Sequence, residues 1–419
     1  MQNDVAFTHK LSSKPRQNAI VAVTDSFSMG YLRRCIPTAI SLCLIGLLAG
    51  CSTTSAPVSA TSTTTSEGSS TTTYFPPPPP VITAKPKFAY TGNQGGSLSG
   101  YSVDISTGQL TPLSGFPMAL GLNPTVVTHD PQNRFLIVGD IAASSLHVFA
   151  IDSTTGALAE VSPSPYATIK EPVGAVVDPT GTHVYVASQG SNQVGAYTLS
   201  ASGTLIPVSG SPFSTGGTQD FGDSLVINTA GTFLYLQDTA NIYVFSISAS
   251  TGALTLQQTM AGPKQGSGIV LDPSGTPLYA VGSGTNFILT YSINATTGLL
   301  SVPSQSPLTE NNGAYTIAIS PNGHDIYTIE NNNDLVSYAI DYGVFFPGGN
   351  VYPGVYGQTI AVDPSGNFVY VPQACSNCPS GVYNVVNQFS IGSTGALTQL
   401  SPAQVAAGVT PWGITVTSQ

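Results

Sequence analysis

The chain has 419 residues, of which only 7% are charged, with 10 Lys and Arg against 20 Asp and Glu. So few charges exclude long solvated helices and coiled coils, and a formal net charge of -10 excludes a phosphate-gripping nucleic-acid surface. The 44 Gly, 32 Pro, 19 Tyr and 16 Phe describe short strands joined by tight turns.

Residues 1–28 are polar, and Met29 is an alternative initiator. Arg33 and Arg34 then precede an apolar core from Ile36 to Leu48, shorter than the roughly 20 residues a membrane span needs. Small residues Ala49 and Gly50 lead into Cys51. Basic region, apolar core and small residues in this order form an export signal. The segment Leu48-Ala49-Gly50-Cys51 resembles the lipobox of bacterial lipoproteins, which implies a signal peptide over residues 1–50 and lipidation at Cys51. Ser52, where retained lipoproteins carry Asp, implies the outer membrane by the same resemblance. Residues 52–74 are rich in Ser and Thr, and five prolines follow Phe75. Such a tract cannot bury enough apolar surface to order itself, and the proline run is an extended spacer. Residues 51–84 therefore read as a lipid-anchored tether. Beyond them only Lys85, Lys87, Arg134, Lys170 and Lys264 are basic, so the lipid, not the protein surface, provides the membrane attachment.

From residue 85 to 419 the chain repeats itself. Asp-Pro-x-Gly segments begin at Asp178, Asp272 and Asp363, with degenerate copies at Asp130, Asn228 and Ser320, at spacings of 43–50 residues. A short apolar strand precedes each copy, and an alternating strand such as Phe-Leu-Tyr-Leu or Phe-Val-Tyr-Val follows. A third strand ends at a Thr-Gly turn, as in the Ser-Thr-Gly-Ala-Leu segments at residues 250–254 and 393–397. Proline fixes φ at the second turn position, Gly takes a conformation closed to other residues, and Asp accepts backbone N–H groups. These Asp residues are turn-formers first. Four short antiparallel strands per unit of this length make an all-β propeller blade. The second-strand pattern occurs seven times, while the first unit lacks a first strand and the segment at residues 411–418 is a first strand without a unit. The expectation is a seven-bladed ring closed by the C-terminal strand, which leaves no open sheet edge.

The pattern Gly/Thr-Ile-Ala-Val-Asp-Pro-Ser-Gly-Asn-Phe-Val-Tyr-Val, followed by a Thr-Gly-Ala-Leu turn, resembles the lactonase family of seven-bladed propellers, typified by 6-phosphogluconolactonases, and YVTN-type repeats. The resemblance spans nearly everything from Lys85 onward, and it rests on turn and core-strand positions. It implies lactone hydrolysis. A phosphosugar substrate needs clustered Lys and Arg, so the implied substrate here is a non-phosphorylated lactone.

Propeller geometry gathers the loops leading into the first strands, and those joining second to third strands, on one face. That face should collect Glu171, Asp220 and Asp223 from the former, and Asp140, Asp238, Glu330 and Asp334 from the latter. Tyr315, Gln358 and Trp412 fall near the channel mouth; Trp412 either stacks on a ligand or plugs the core. Converging carboxylates can hold a divalent cation or perturb one another for acid–base work, and loops are also where an acidic protein carries its acids. No Arg, Lys or His is expected there to meet a developing negative charge. Neither a His-rich zinc pattern nor a phosphate-binding Gly loop occurs, so no resident cofactor is expected. Cys375 and Cys378 lie in a second-to-third-strand loop and allow a redox pair, half a zinc site or a local disulfide; export favours the disulfide. The sequence reading is therefore a monomeric, envelope-anchored propeller that binds a protein, peptide or glycan without catalysis. The alternative is a lactonase-like hydrolase, and a weaker one is a metal-dependent enzyme.

Overall fold

The structure, a computed structural model, describes residues 84–121, 123–217, 221–307, 312–341, 344–374 and 384–419. Cys51, Asp220, Cys375 and Cys378 lie outside the described residues, as does the segment read as signal and tether up to residue 83.

The described strands form seven antiparallel sheets of four strand positions each, in sequence order in every blade but the first. In blades 1 to 3 the outermost strand is broken in two, so that two short pieces pair with the same third strand. The innermost strand of blade 1 is Pro411–Ser418, hydrogen-bonded antiparallel to Pro86–Asn93. The remaining inner strands are Pro124–His129, Pro172–Val177, Phe221–Ile227, Gly266–Leu271, Ala314–Ile319 and Ala361–Val362 in blades 2 to 7. Each inner strand touches the next around the ring, and the last touches that of blade 1. The ring closes as the repeat count requires.

The turn between first and second strands is set by its leading side chain. Asp178 Oδ1 accepts the N–H groups of Thr182 and His183 at 2.7 and 2.8 Å. Asp363 Oδ1 does the same for Asn367 and Phe368 at 2.8 and 2.7 Å, and Asn228 for Thr232 and Phe233 at 2.8 and 2.9 Å. Asp272 departs from this because Pro277 has no N–H, and its carboxylate takes the Ser274 N–H instead at 2.9 Å.

Between blades the repeat builds its core. One cluster of buried apolar side chains fills each of the seven gaps. Tyrosines in the second strands cross these gaps. The Tyr90, Tyr185, Tyr235 and Tyr370 hydroxyls donate to the carbonyls of Gly156, Gly252, Gly298 and Gly108 at 2.8, 2.9, 3.0 and 2.6 Å. Tyr327 reaches the Gly395 carbonyl at 3.4 Å. Each acceptor belongs to the Thr-Gly turn of the next blade, and the Tyr370 bond fastens blade 7 to blade 1. In blade 2 the equivalent residue is Ile137, buried without a hydroxyl. Two residues earlier, Phe88, Phe233 and Phe368 lie under Gly156, Gly298 and Gly108, which have φ of 72, 70 and 73°. A Cβ on these glycines would come within 2.7, 2.4 and 2.1 Å of another heavy atom, with the Phe ring in that contact each time. Only glycine fits both the conformation and the gap.

Candidate functional site

On the face opposite the Asp-Pro-x-Gly turns, the repeat places one residue of each blade at the end of its second strand. In blades 1 to 4 these are Asn93, Asp140, Ser188 and Asp238, paired with the first inner-strand residues Pro411, Pro124, Pro172 and Phe221. In blades 5 to 7 they are Gly282, Glu330 and Gln373, paired with Gly266, Ala314 and Gly357. All six polar members are buried. Three sequence-selected carboxylates, Asp140, Asp238 and Glu330, are thus equivalent positions of one ring around the channel.

These carboxylates are engaged within their own blades. Asp140 accepts the N–H groups of Asn123 and Ala143 at 2.8 and 2.7 Å. Asp238 accepts those of Ala240 and Asn241 at 2.7 and 2.5 Å and the Tyr243 hydroxyl at 2.6 Å. Burial, then this carboxylate, pushes the Tyr243 phenol up to about 12. Glu330 takes the Tyr338 hydroxyl at 2.5 Å. Buried charge is tolerated here because each carboxylate meets polar hydrogens that the loop must satisfy anyway. Asp334, half-exposed, accepts a 2.8 Å bond from the Asn332 amide. The side chain of Asp223 lies outside the described residues, as does Asp220. Among the described residues no group of three or more His, Cys, Asp or Glu side chains is placed to hold a metal ion.

A second set comes from a bulge just inside each inner strand. The register slips between Ala314 and Thr316, between Gly266 and Gly268, and between Pro124 and Val126. Tyr315, Ser267 and Thr125 are the inserted residues, and Gln358 and Trp412 hold the same position in blades 7 and 1. A bulge turns its side chain out of the sheet pattern. Tyr315 is 39% exposed, whereas Gln358 and Trp412 are half-buried. The consecutive blades 6, 7 and 1 therefore line one side of the mouth with a phenol, an amide and an indole. The Trp412 carbonyl also receives the Thr359 hydroxyl at 2.7 Å, tying blades 7 and 1 together.

The loops leading into the inner strands supply a third set. Glu171, Gln265 and Thr410 each directly precede an inner strand and adopt left-handed backbone, with φ of 52, 51 and 55°. Before Glu171 and Gln265 stand Lys170 and Lys264, both exposed. This corrects the expectation of a face without basic groups: a shared position in the repeat carries two lysines to it. The shared left-handed backbone of Glu171, Gln265 and Thr410 makes this equivalence plain, with Val409 at the lysine position in blade 1. The Lys170 ammonium stands 3.2 Å from a Glu171 carboxylate oxygen, with side chains 65% and 38% exposed. Such a pair is weakly held and open to solvent.

Sequence reasoning also passed over His129. It ends the inner strand of blade 2, and its Nδ1 lies 2.8 Å from the Thr415 hydroxyl on the inner strand of blade 1. Burial pushes its pKa down to about 4 against the opposing pull of Asp130. It is a neutral link between two inner strands. Arg134, partly exposed on the turn face, donates its Nε–H to Asp130 at 2.7 Å.

Residues 80–177 and 172–270 match the family described as lactonase, 7-bladed beta-propeller. No curated protein matches the chain. Among solved structures, a candidate 6-phosphogluconolactonase of Bacteroides uniformis is 16% identical, covering 79% of this chain and 99% of its own, with a TM-score of 0.67. A periplasmic gluconolactonase of Pseudomonas aeruginosa is 18% identical, covering 79% and 98%, with a TM-score of 0.66. A Lactobacillus plantarum protein is 17% identical over 79% and 99%, also at 0.66. These structural likenesses lie in the fold. The chain is a seven-bladed β-propeller whose residues 80–270 resemble the lactonase family.

Proposed function

We propose that this propeller binds and hydrolyses a non-phosphorylated lactone at the channel mouth. One observation carries the reading: the accessible Lys170–Glu171 pair stands at the mouth of a propeller whose first blades match the lactonase family. Glu171 takes a proton from water as its oxygen attacks the lactone carbonyl carbon, and the Lys170 ammonium faces the oxyanion that forms. The ring C–O bond then breaks, and the departing alkoxide regains a proton to give the open hydroxy acid. The phenol, amide and indole of Tyr315, Gln358 and Trp412 suit an uncharged ring with hydroxyl groups better than a phosphate.

A second reading keeps the mouth but removes the chemistry. Asp140, Asp238 and Glu330 already accept hydrogen bonds from their own blades, which favours recognition of a glycan or peptide without turnover. In both readings the body stands outside the cytoplasm on a lipidated Cys51. The support is the order of basic region, apolar core and Leu48-Ala49-Gly50-Cys51 ahead of the Ser, Thr and Pro tether.

The test is acid release from D-glucono-1,5-lactone in a pH-stat, against its uncatalysed rate. The full chain should exceed that rate, and Glu171→Gln should lose about 100-fold or more of the excess. Acid release no faster than in buffer, or an undiminished Glu171→Gln variant, would overturn the hydrolase reading.

A further inference from the structure

The opposite face of the ring carries a feature that the lactone reading does not use. Where neighbouring blades meet on the turn face, a groove runs between the second strand of one blade and the Thr-Gly turn of the next. Between blades 1 and 2 it includes Phe88 and holds about 120 Å³; between blades 4 and 5 it includes Phe233 and holds about 140 Å³. Between blades 6 and 7 it holds about 530 Å³.

Two departures from the repeat enlarge it. The residue that lies under the turn glycine is Phe88, Phe135, Phe233 and Phe368 in four blades, but Asp325 in blade 6. The Asp325 carboxylate occupies the position of the missing ring, packed against Gly395. In blade 7, moreover, the turn opens with Gly392, where Asp104, Asp152 and Asn294 cap the equivalent turns through side-chain oxygens. One substitution removes a ring and the other a cap, both beside the same groove.

Asp325 is only 6% exposed, yet its carboxylate accepts no hydrogen bond among the described residues. Its backbone N–H donates to the Ser320 hydroxyl at 3.0 Å, and that hydroxyl in turn donates to Asn322 Oδ1 rather than to the carboxylate. Burial lifts the carboxyl above its usual value, offset in part by neighbouring His324, which is exposed at the rim. The carboxylate oxygens are not sealed off but open onto the groove, so a donor entering it can reach them. Around it the walls mix the amides and hydroxyls of Asn322, Asn367, Ser393 and Thr394 with aliphatic Ile340 and Ile391.

We propose that this groove is a binding site for a small hydroxylated primary amine of the amino-sugar class, whose ammonium pairs with Asp325 while its hydroxyls meet the amide and hydroxyl walls. An organic cation fits better than a metal ion, because a single carboxylate does not make the multi-oxygen cage that a hard cation requires. The groove has room for one sugar ring or two. It lies on the far face from Lys170 and Glu171, so either proposal can fail without the other.

The experiment is calorimetric titration of the full chain at neutral pH with D-glucosamine, alongside D-glucose and N-acetyl-D-glucosamine, which lack the ammonium. D-Glucosamine should bind saturably, and the two neutral sugars about tenfold more weakly or worse, as loss of a charge-assisted hydrogen bond dictates. Asp325→Phe restores the ring found in four other blades; it should melt no lower than the parent and lose the binding. If that variant misfolds, Asp325→Asn, which keeps the size of the side chain, should bind all three sugars alike. No saturable binding to the parent would overturn the proposal. So would a folded Asp325→Phe that binds as the parent does, or an Asp325→Asn that still prefers the amine.

Discussion

The tyrosine bonds between blades give a graded prediction. Replacing Tyr370 by Phe keeps the buried ring but deprives the Gly108 carbonyl of a donor at 2.6 Å. An unsatisfied buried carbonyl costs about 1–3 kcal/mol, and about 1.5 kcal/mol is the working value here. Tyr327 lies 3.4 Å from its acceptor, beyond the range of a good O–H···O bond, so Tyr327→Phe should cost less than about 0.5 kcal/mol. The four shorter bonds lie in separate gaps and share no partner. Their effects should therefore add, and the quadruple variant at Tyr90, Tyr185, Tyr235 and Tyr370 should lose about 6 kcal/mol. Unfolding entropy of roughly 2.1 cal/mol/K per residue converts this into a fall in melting temperature of about 8 °C for a body of this size, against about 2 °C for Tyr370→Phe alone. Guanidinium titration followed by tryptophan fluorescence and by circular dichroism reads both. A Tyr327→Phe loss equal to that of Tyr370→Phe would refute the reasoning, because bond length would then not decide the cost.

Three further outcomes follow from the same structure. Deleting residues 411–419 removes the inner strand of blade 1 with its buried Ile414 and Val416; cooperative unfolding should be lost, and a truncated chain that melts as sharply as the parent would contradict the closed ring. His129 has its pKa pushed down to about 4, so the folded state binds fewer protons than the unfolded one between that value and roughly 6.5. Stability should fall as pH drops through this window, by about 2–3 kcal/mol from pH 7 to 4.5, and His129→Gln should remove that part of the slope in denaturant titrations at the two pH values. Cys51→Ser should accumulate as an unlipidated precursor that stays out of the detergent phase on partitioning; partitioning like the parent would end the lipoprotein proposal.

Architecture was legible because the signals that specify it are local. Asp178 and Asp363 announce their turns through proline and glycine one and three residues away, and the alternating strands behind them pair with near neighbours. The stray first strand at residues 411–418 even indicated how the ring closes, since a repeat missing one strand has one place to find it. The candidate site was legible only as a set of positions. Asp140, Asp238 and Glu330 lie where the repeat put them, but whether a carboxylate is free depends on donors brought to it by loop geometry. Tyr243 and the Ala240 and Asn241 amides engage Asp238, and nothing in a list of residue types gives those distances. Lys170 was overlooked for a related reason, because the face a loop residue joins depends on backbone twist, here the left-handed turn at Glu171. The groove at Asp325 was the least visible of all. In the sequence, Asp325 is one more acid at the start of a strand, and only the contact with Gly395, 70 residues later in the neighbouring blade, shows that it stands in place of a buried ring. Turn chemistry and strand period act over a few residues and can be read along the chain, whereas burial and partner choice arise between blades and exist only once the ring is assembled.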